Sequence, residues 1–347
     1  MQTPPANSPP RKPIRIMFAG SPAIAVPALE AAVALCGRAG GGFAFAGLLT
    51  NPDSPRGRSG KLEPTECAAA LGRLCPEGPP ALKPEKLDAA FRARAESLRP
   101  DLLISFAYGK IFGPKFLALF PLGGINIHPS LLPKYRGPTP IPAAIIGRET
   151  ETGVTIQRLA LEMDSGDILA QEKIALAGRE TTASLGGAVA RVAAAMLPAA
   201  LRAIAESDAP GGLRGRAQDG AAASYCSLIA KADGLIDWGM GAAEIDARIR
   251  AFTPWPLSWT TRGGSQLFIL KAEALEGAGA ALAQPGMAQP GAALPGMVLG
   301  KDKNKGILVQ TGSGALAVSE LQCQGKKALE WGAFLNGARN FIGERLG

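Results

Sequence analysis

At 347 residues and 47% hydrophobic composition the chain is long enough for two domains, each with a core of its own. Charged residues make up only 19% and glycine and proline are abundant, which foretells loop-rich stretches; no apolar run has the length of a membrane span. The net charge of +8 permits a polyanionic partner without requiring one.

The opening MQTPPANSPPRKP has no apolar segment of the kind a secretory signal carries and reads as a disordered lead over residues 1–13. IRIMFAG (14–20) is a short apolar run ending in glycine, and a helix is expected from about Val26. Strand, tight turn and helix open an α/β unit. FAFAGLLT (43–50) reads as the next buried strand. A Pro- and Gly-rich loop follows, carrying Arg56, Arg58 and Lys61. Helices fit 67–74 and 84–98, and DLLISFA (101–107) is a third strand. GGINIHPS holds a fourth, IPAAIIGR is helical, and ETGVTIQRLA and DILAQEKIAL read as two further strands around EMDSG. A long Ala-rich helix runs from Thr181 to Ser207. Residues 209–223 have linker composition. Beyond them, EIDARIRAF is a helix, and LFILKAEAL, GMVLG, GILVQTG and ALAVSELQ are short strands without alternating helices. This pattern predicts a small OB-like β-barrel. The expected division is a catalytic α/β domain over 14–208, a linker over 209–223 and a barrel domain over 224–347. Residues 276–296 form a low-complexity insertion.

Five cysteines without a CxxC pair, and one histidine, give no zinc spacing; free thiols in a reducing cytoplasm are the simplest reading. FAGSP lacks the GxGxxG pattern and is an ordinary β–α turn on its own evidence, so no dinucleotide cofactor is expected. The single imidazole, His128, lies two residues after Asn126, so on a strand both side chains share a face. A strand breaking at Pro129 would put them at the carboxyl edge of the sheet, where α/β proteins bind ligands. Asp164, in MDSGDIL, could reach the same crevice. An amide, an imidazole and a carboxylate suit oxyanion stabilisation and proton movement in acyl transfer, and with no nucleophile elbow present they favour direct transfer between two bound substrates. Spacing alone favours the plainer reading, a structural histidine and a turn aspartate. The cations at 56, 58 and 61 are either a solvated loop or a phosphate grip. Trp255 and Trp259 read as core anchors.

Taken together, NIHPSLLPKYRG and the later ETGVTIQRLALEMDSGDIL resemble the signature of 10-formyltetrahydrofolate-dependent formyltransferases. FAGSPAIAVPALEA, TNPDSPRGRSGKL, LIDWGMGAAEIDARIRAFTPWPLSW and GILVQTGSGALAVSELQCQGKKAL are similar to the members of that family that act on methionyl-tRNA, and the resemblance runs from Ile14 to about Gly337. It implies a Rossmann-like α/β domain with a mostly parallel sheet, followed by the OB-like barrel. The implied reaction passes a formyl group from 10-formyltetrahydrofolate, a dissociable co-substrate, to the amino group of initiator methionyl-tRNA, without a metal. A soluble, monomeric, cytoplasmic enzyme of translation initiation is expected.

By the same resemblance, Asn126, His128 and Asp164 match the catalytic trio. Ser130, Leu131, Leu132 and Pro133 match a folate-binding segment, and the backbone of Phe106, Ala107, Tyr108, Gly109, Lys110 and Ile111 matches the region that meets the pterin. The loop with Arg56, Arg58 and Lys61 matches one that enters the acceptor-stem region of the tRNA, and the barrel matches the domain that holds the tRNA body. The sequence departs from the family pattern at Pro129, where a small residue is usual, and in the basic loop, where one lysine stands for a pair.

Overall fold

The computed structural model describes residues 12–38, 42–56, 60–209, 212–275 and 294–347. Arg58, most of the N-terminal lead and most of the low-complexity insertion lie outside them. The chain divides into two compact units. One comprises the residues up to Pro138 with Glu151–Ala175 and Gly186–Cys226; the other comprises Thr139–Thr150, Leu176–Leu185 and Ser227–Gly347.

In chain order the elements as far as residue 206 are β1 (Ile14–Ala19), α1 (Val26–Cys36), β2 (Phe43–Leu49), β3 (Ser54–Arg56), β4 (Lys61–Glu63), α2 (Glu66–Leu74), β5 (Ala81–Leu82), α3 (Ala89–Ser97), β6 (Leu102–Ser105), α4 (Pro114–Leu117), β7 (Gly124–His128), α5 (Pro140–Ile146), β8 (Glu151–Arg158), β9 (Ile168–Ala175) and α6 (Thr182–Glu206). Seven strands form one sheet in the order β5-β2-β1-β6-β7-β8-β9. The first five strands of that order are parallel; β8 and β9 join antiparallel. Ile16, Met17, Phe18, Leu102, Leu103 and Ile104 are fully buried, as expected of strands covered on both faces. The strand order reverses at β1, so the carboxyl ends of β1, β6 and β7 meet at a switch point.

Local signals place the helices. Thr65 Oγ1 accepts from Ala68 N ahead of α2, and Asp88 Oδ1 accepts from Phe91 N ahead of α3. That second cap starts α3 later than the apolar pattern of 84–98 had indicated. One sequence expectation is corrected by α6, which is long and apolar enough, by length and composition, to cross a bilayer. Its apolar stripe is instead buried inside the protein: Leu185, Val189, Ala193, Leu197, Leu201 and Ile204 are 0–1% exposed.

The second unit adds α7 (Ala242–Ala251), β10 (Ser258–Arg262), β11 (Ser265–Leu275), β12 (Val298–Asp302), β13 (Gly306–Gln310), β14 (Ala315–Cys323), β15 (Leu329–Glu330) and α8 (Trp331–Gly337). The strands form an antiparallel sheet, β10-β11-β14-β13-β12, with β15 on β14. The C-terminal tail runs between the two outer strands: Val298 N donates to Glu344 O, Gly343 N to Val298 O, and Gly347 N to Thr261 O. This gives the sheet its barrel-like closure. Trp238, Ile249, Leu267, Val309, Leu316 and Phe341 fill the interior. Trp255 is no core anchor; it is 57% exposed, because Thr253–Leu257 leaves the end of α7 as an outward turn, while Trp259 is half-buried and bonds Lys231 O.

Arg262 pins the tail. Its Nε and Nη2 donate to the two Glu344 carboxylate oxygens at 2.7 and 2.8 Å, and its guanidinium lies 4.7 Å from the centre of the Phe341 ring. The Arg262 bond holds Glu344 below the usual carboxylate range. Arg262→Ala is expected to lower stability by about 1 kcal/mol, read as a drop in the barrel's thermal midpoint. A depressed carboxylate contributes stability above its unfolded pKa and loses it as pH falls through the folded value. The stability gap between wild type and Glu344→Gln should therefore narrow on acidification, and a pH-independent gap would refute the ion-pair account.

Candidate functional site

Asn126 and His128 point from β7 toward the same side of the sheet. Ser105, the last residue of β6, pairs with Asn126, and Asn126 and His128 pair across β8 with Gln157 and Thr155. The strand ends at His128 because Pro129 has no N–H to continue the ladder. Ser130 N turns back to His128 O at 3.0 Å, so Pro129 sits at the centre of a three-residue turn that its fixed φ suits. Thr155 anchors this turn: its hydroxyl donates to Ser130 O and accepts from Leu132 N.

Asp164 arrives from the β8–β9 loop with φ +52°, a left-handed conformation an aspartate tolerates. Its carboxylate gathers the site. Oδ1 accepts from Asn126 Nδ2 at 3.3 Å and Gln157 Nε2 at 2.9 Å, while Oδ2 accepts from Gly137 N at 2.8 Å. His128 Nδ1 lies 3.5 Å from Oδ2. The structure thus brings the three residues together. Gly137 has φ +115°, and a Cβ there would run into the Cys226 carbonyl, so only glycine brings this N–H to Asp164.

His128 is 3% exposed. Its Nε2 is 2.8 Å from Tyr135 O, and a carbonyl can only accept, so Nε2 carries the proton. Burial pulls the imidazole below its ordinary pKa, against the opposing pull of Asp164 and of the Tyr135 carbonyl. The neutral ring therefore presents the Nδ1 lone pair to Asp164, and a proton arriving at Nδ1 would complete an ion pair. Asn126 gives one amide hydrogen to Asp164 and keeps a second.

The expected folate residues fall into two groups. Phe106 and Tyr108 are buried, and Tyr108 stacks on Phe112, so both side chains belong to the core. The Tyr108 hydroxyl has no hydrogen-bond partner among the described residues, and burial pushes its pKa up to about 12. Ala107 between them and Gly109 after Tyr108 have φ of +50° and +81° and are exposed, and Ile111 is 81% exposed. Asn51 Nδ2 donates to Tyr108 O, and Lys110 Nζ to the carbonyls of Pro84 and Glu85. In the turn after β7, Ser130 and Leu132 are buried, with Ser130 Oγ donating to Lys134 O; Leu131 and Pro133 stay half-exposed. Arg56 and Lys61 pair across the β3–β4 hairpin.

The sequence reading missed Gln157, Gln218 and the roles of Tyr135, Arg136 and Gly137. Gln157 left a signal, as a polar residue within the apolar run GVTIQ, opposite Asn126 in register. Gln218 left none, because its segment reads as linker. The second unit carries a groove of about 740 Å³ whose lining includes Arg262, Lys326 and Arg345. Among the described residues none of the five cysteines is in a disulfide.

A formyl transferase model matches residues 25–201, and a formyl transferase C-terminal domain model matches 228–339. The chain is 47% identical over 335 residues to the methionyl-tRNA formyltransferase of Treponema denticola, covering 95% of this chain and 98% of that one. It is 36% identical to that of Borrelia duttonii, covering 95% and 99%. Among solved structures, the N-formyltransferase of Helicobacter canadensis, in complex with folinic acid and dTDP-3-aminofucose, superposes with a TM-score of 0.59 at 18% identity over 88% of this chain and 99% of that one. HypX from Aquifex aeolicus, in complex with tetrahydrofolic acid, gives 0.57 at 16% identity over 95% of this chain, which spans about half (48%) of that one. These two likenesses concern the fold. On the family models and the extent of identity to its relatives, the chain belongs to the formyl transferase family, among the methionyl-tRNA formyltransferases.

Proposed function

We propose that the chain transfers the formyl group of 10-formyltetrahydrofolate to the amino group of methionine on initiator methionyl-tRNA, with Asn126, His128 and Asp164 as its catalytic residues. The convergence of these three side chains at the end of β7 is the observation that carries the reading. The amine attacks the formyl carbon, and the carbonyl oxygen becomes an oxyanion. The second N–H of Asn126 donates to it. The proton shed by the amine passes to His128 Nδ1, where Asp164 balances the new charge. It returns to the folate nitrogen as the old C–N bond breaks. The folate lies along the backbone of Phe106–Ile111, where Ala107, Gly109 and Ile111 are exposed, and along the Ser130–Pro133 turn. Arg56, Arg58 and Lys61 grip tRNA phosphates, and the groove of the second unit, where Lys326 and Arg345 stand beside the Arg262–Glu344 ion pair, supports its contact with the tRNA body. A catalytic domain followed by a barrel domain, acting as a monomer in the cytoplasm, completes the reading.

The assay is formyl transfer from 10-formyltetrahydrofolate to methionyl initiator tRNA, with amino sugars and elongator methionyl-tRNA as controls. Asn126→Ala and His128→Ala should each lower kcat by about 10²–10³ with little change in tRNA affinity; near-wild-type turnover by either removes it from the mechanism. Because burial lowers the His128 pKa, the ring stays a proton acceptor through neutrality and loses that role only in acid. The acid limb of the kcat profile should fall below the ordinary imidazole value of 6.5. Asp164→Asn removes a pull that raises this pKa, so the limb should move further to acid, whereas a shift to higher pH would contradict the assignment.

For the basic hairpin the readout is salt. Arg58→Ala should reduce the slope of log affinity against log salt for tRNA by roughly 0.7–0.9. An unchanged slope would take this residue out of the phosphate contacts.

A further inference from the structure

The segment from Gly212 to Cys226 lies outside both matched family regions and has the composition of a linker, yet it is woven into the first unit. Arg216 exchanges two backbone hydrogen bonds with Ile168 at the start of β9. Ser224 and Cys226 bracket Arg136 by backbone bonds of 2.8 Å each, and Ser224 Oγ accepts from Tyr135 N at 2.9 Å. Tyr135 is the residue whose carbonyl holds the His128 proton.

At the centre of this segment is Gln218. Its Nε2 lies 2.8 Å from Asp164 O, 2.7 Å from Gly166 O and 3.2 Å from Gln157 Oε1. Its Oε1 accepts from Arg136 Nε and Nη2 at 3.1 and 2.8 Å, and Arg136 Nη1 in turn meets the Tyr225 hydroxyl at 3.2 Å. One amide therefore closes the left-handed turn that aims Asp164 and also fixes the orientation of Gln157, whose Nε2 donates to the Asp164 carboxylate. A polar side chain that satisfies two loop carbonyls and a guanidinium together holds a conformation that the loop's own backbone disfavours.

We propose that the 212–226 segment is a working part of the catalytic site and that Gln218 is its positioning residue, setting the placement of Asp164 against His128 for formyl transfer. The inference rests on the function proposed above. Asp164 is the carboxylate facing the imidazole, and the turn between them carries Lys134 and Arg136, the latter held on Gln218 and Tyr225.

His128 is the only histidine, so an untagged, 15N-histidine-labelled full-length chain gives a single imidazole to follow by NMR. Gln218→Met keeps the volume and removes every hydrogen bond; Gln218→Asn keeps an amide one methylene too short. Both should move the imidazole titration to lower pH, because a loosened Asp164 supports the protonated ring less while burial is unchanged. Both should lower kcat about 10- to 100-fold, with KM for tRNA and folate nearly unchanged. A wild-type titration overturns the proposal, even if kcat falls, since that pattern marks a merely structural contribution; failure of both variants to fold overturns it likewise. A wild-type chain inactive on methionyl-tRNA would instead sink the functional reading, with the imidazole titration still testing Gln218.

Discussion

The site is built around one partly buried carboxylate. Asp164 accepts hydrogen bonds from Asn126, Gln157 and the Gly137 backbone, and faces His128 across 3.5 Å. A carboxylate at this depth is costly unless its oxygens are satisfied, and here both are. Each donor comes from a different piece of chain: β7, β8 and the turn after β7. Satisfying Asp164 therefore fixes the mutual placement of these pieces, and the imidazole is fixed with them.

The chemistry follows from what each group has left after this bonding. Asn126 keeps one amide hydrogen. His128, with its Nε2 proton committed to Tyr135 O, keeps only the Nδ1 lone pair and the option of an ion pair. Burial favours the neutral ring, and Asp164 makes the charged ring accessible. This is the balance a proton carrier needs: neutral at rest, and stabilised when the proton arrives. Pro129 no longer stands as an unexplained departure, because it ends the β7 ladder at His128 and centres the turn that follows.

Several features were legible in the residues. Apolar runs marked the buried parallel strands, because a strand covered on both faces has no polar side to show. The i, i+2 spacing put Asn126 and His128 on one face, since strand side chains alternate whatever the fold. Trp255 was misread because an aromatic ring looks the same in sequence whether it faces inward or outward. The burial of α6 was equally hidden, because length and composition are alike for a core helix and a membrane helix.

By itself, then, the sequence determined the longer buried strands, though not the short β3, β4, β5 and β15 or the edge strand β10, which face of β7 carries polar groups, and, through long motifs, the family. Only the tertiary structure decided that Gln157 and Gln218 serve Asp164, that Tyr135 O sets the His128 tautomer, and that residues 212–226 join the first unit. The physical reason is range. Periodicity and turn chemistry act over a few residues, whereas the partner of a buried polar atom is chosen by whichever chain packs against it, and Gln218 meets Asp164 from 54 positions away.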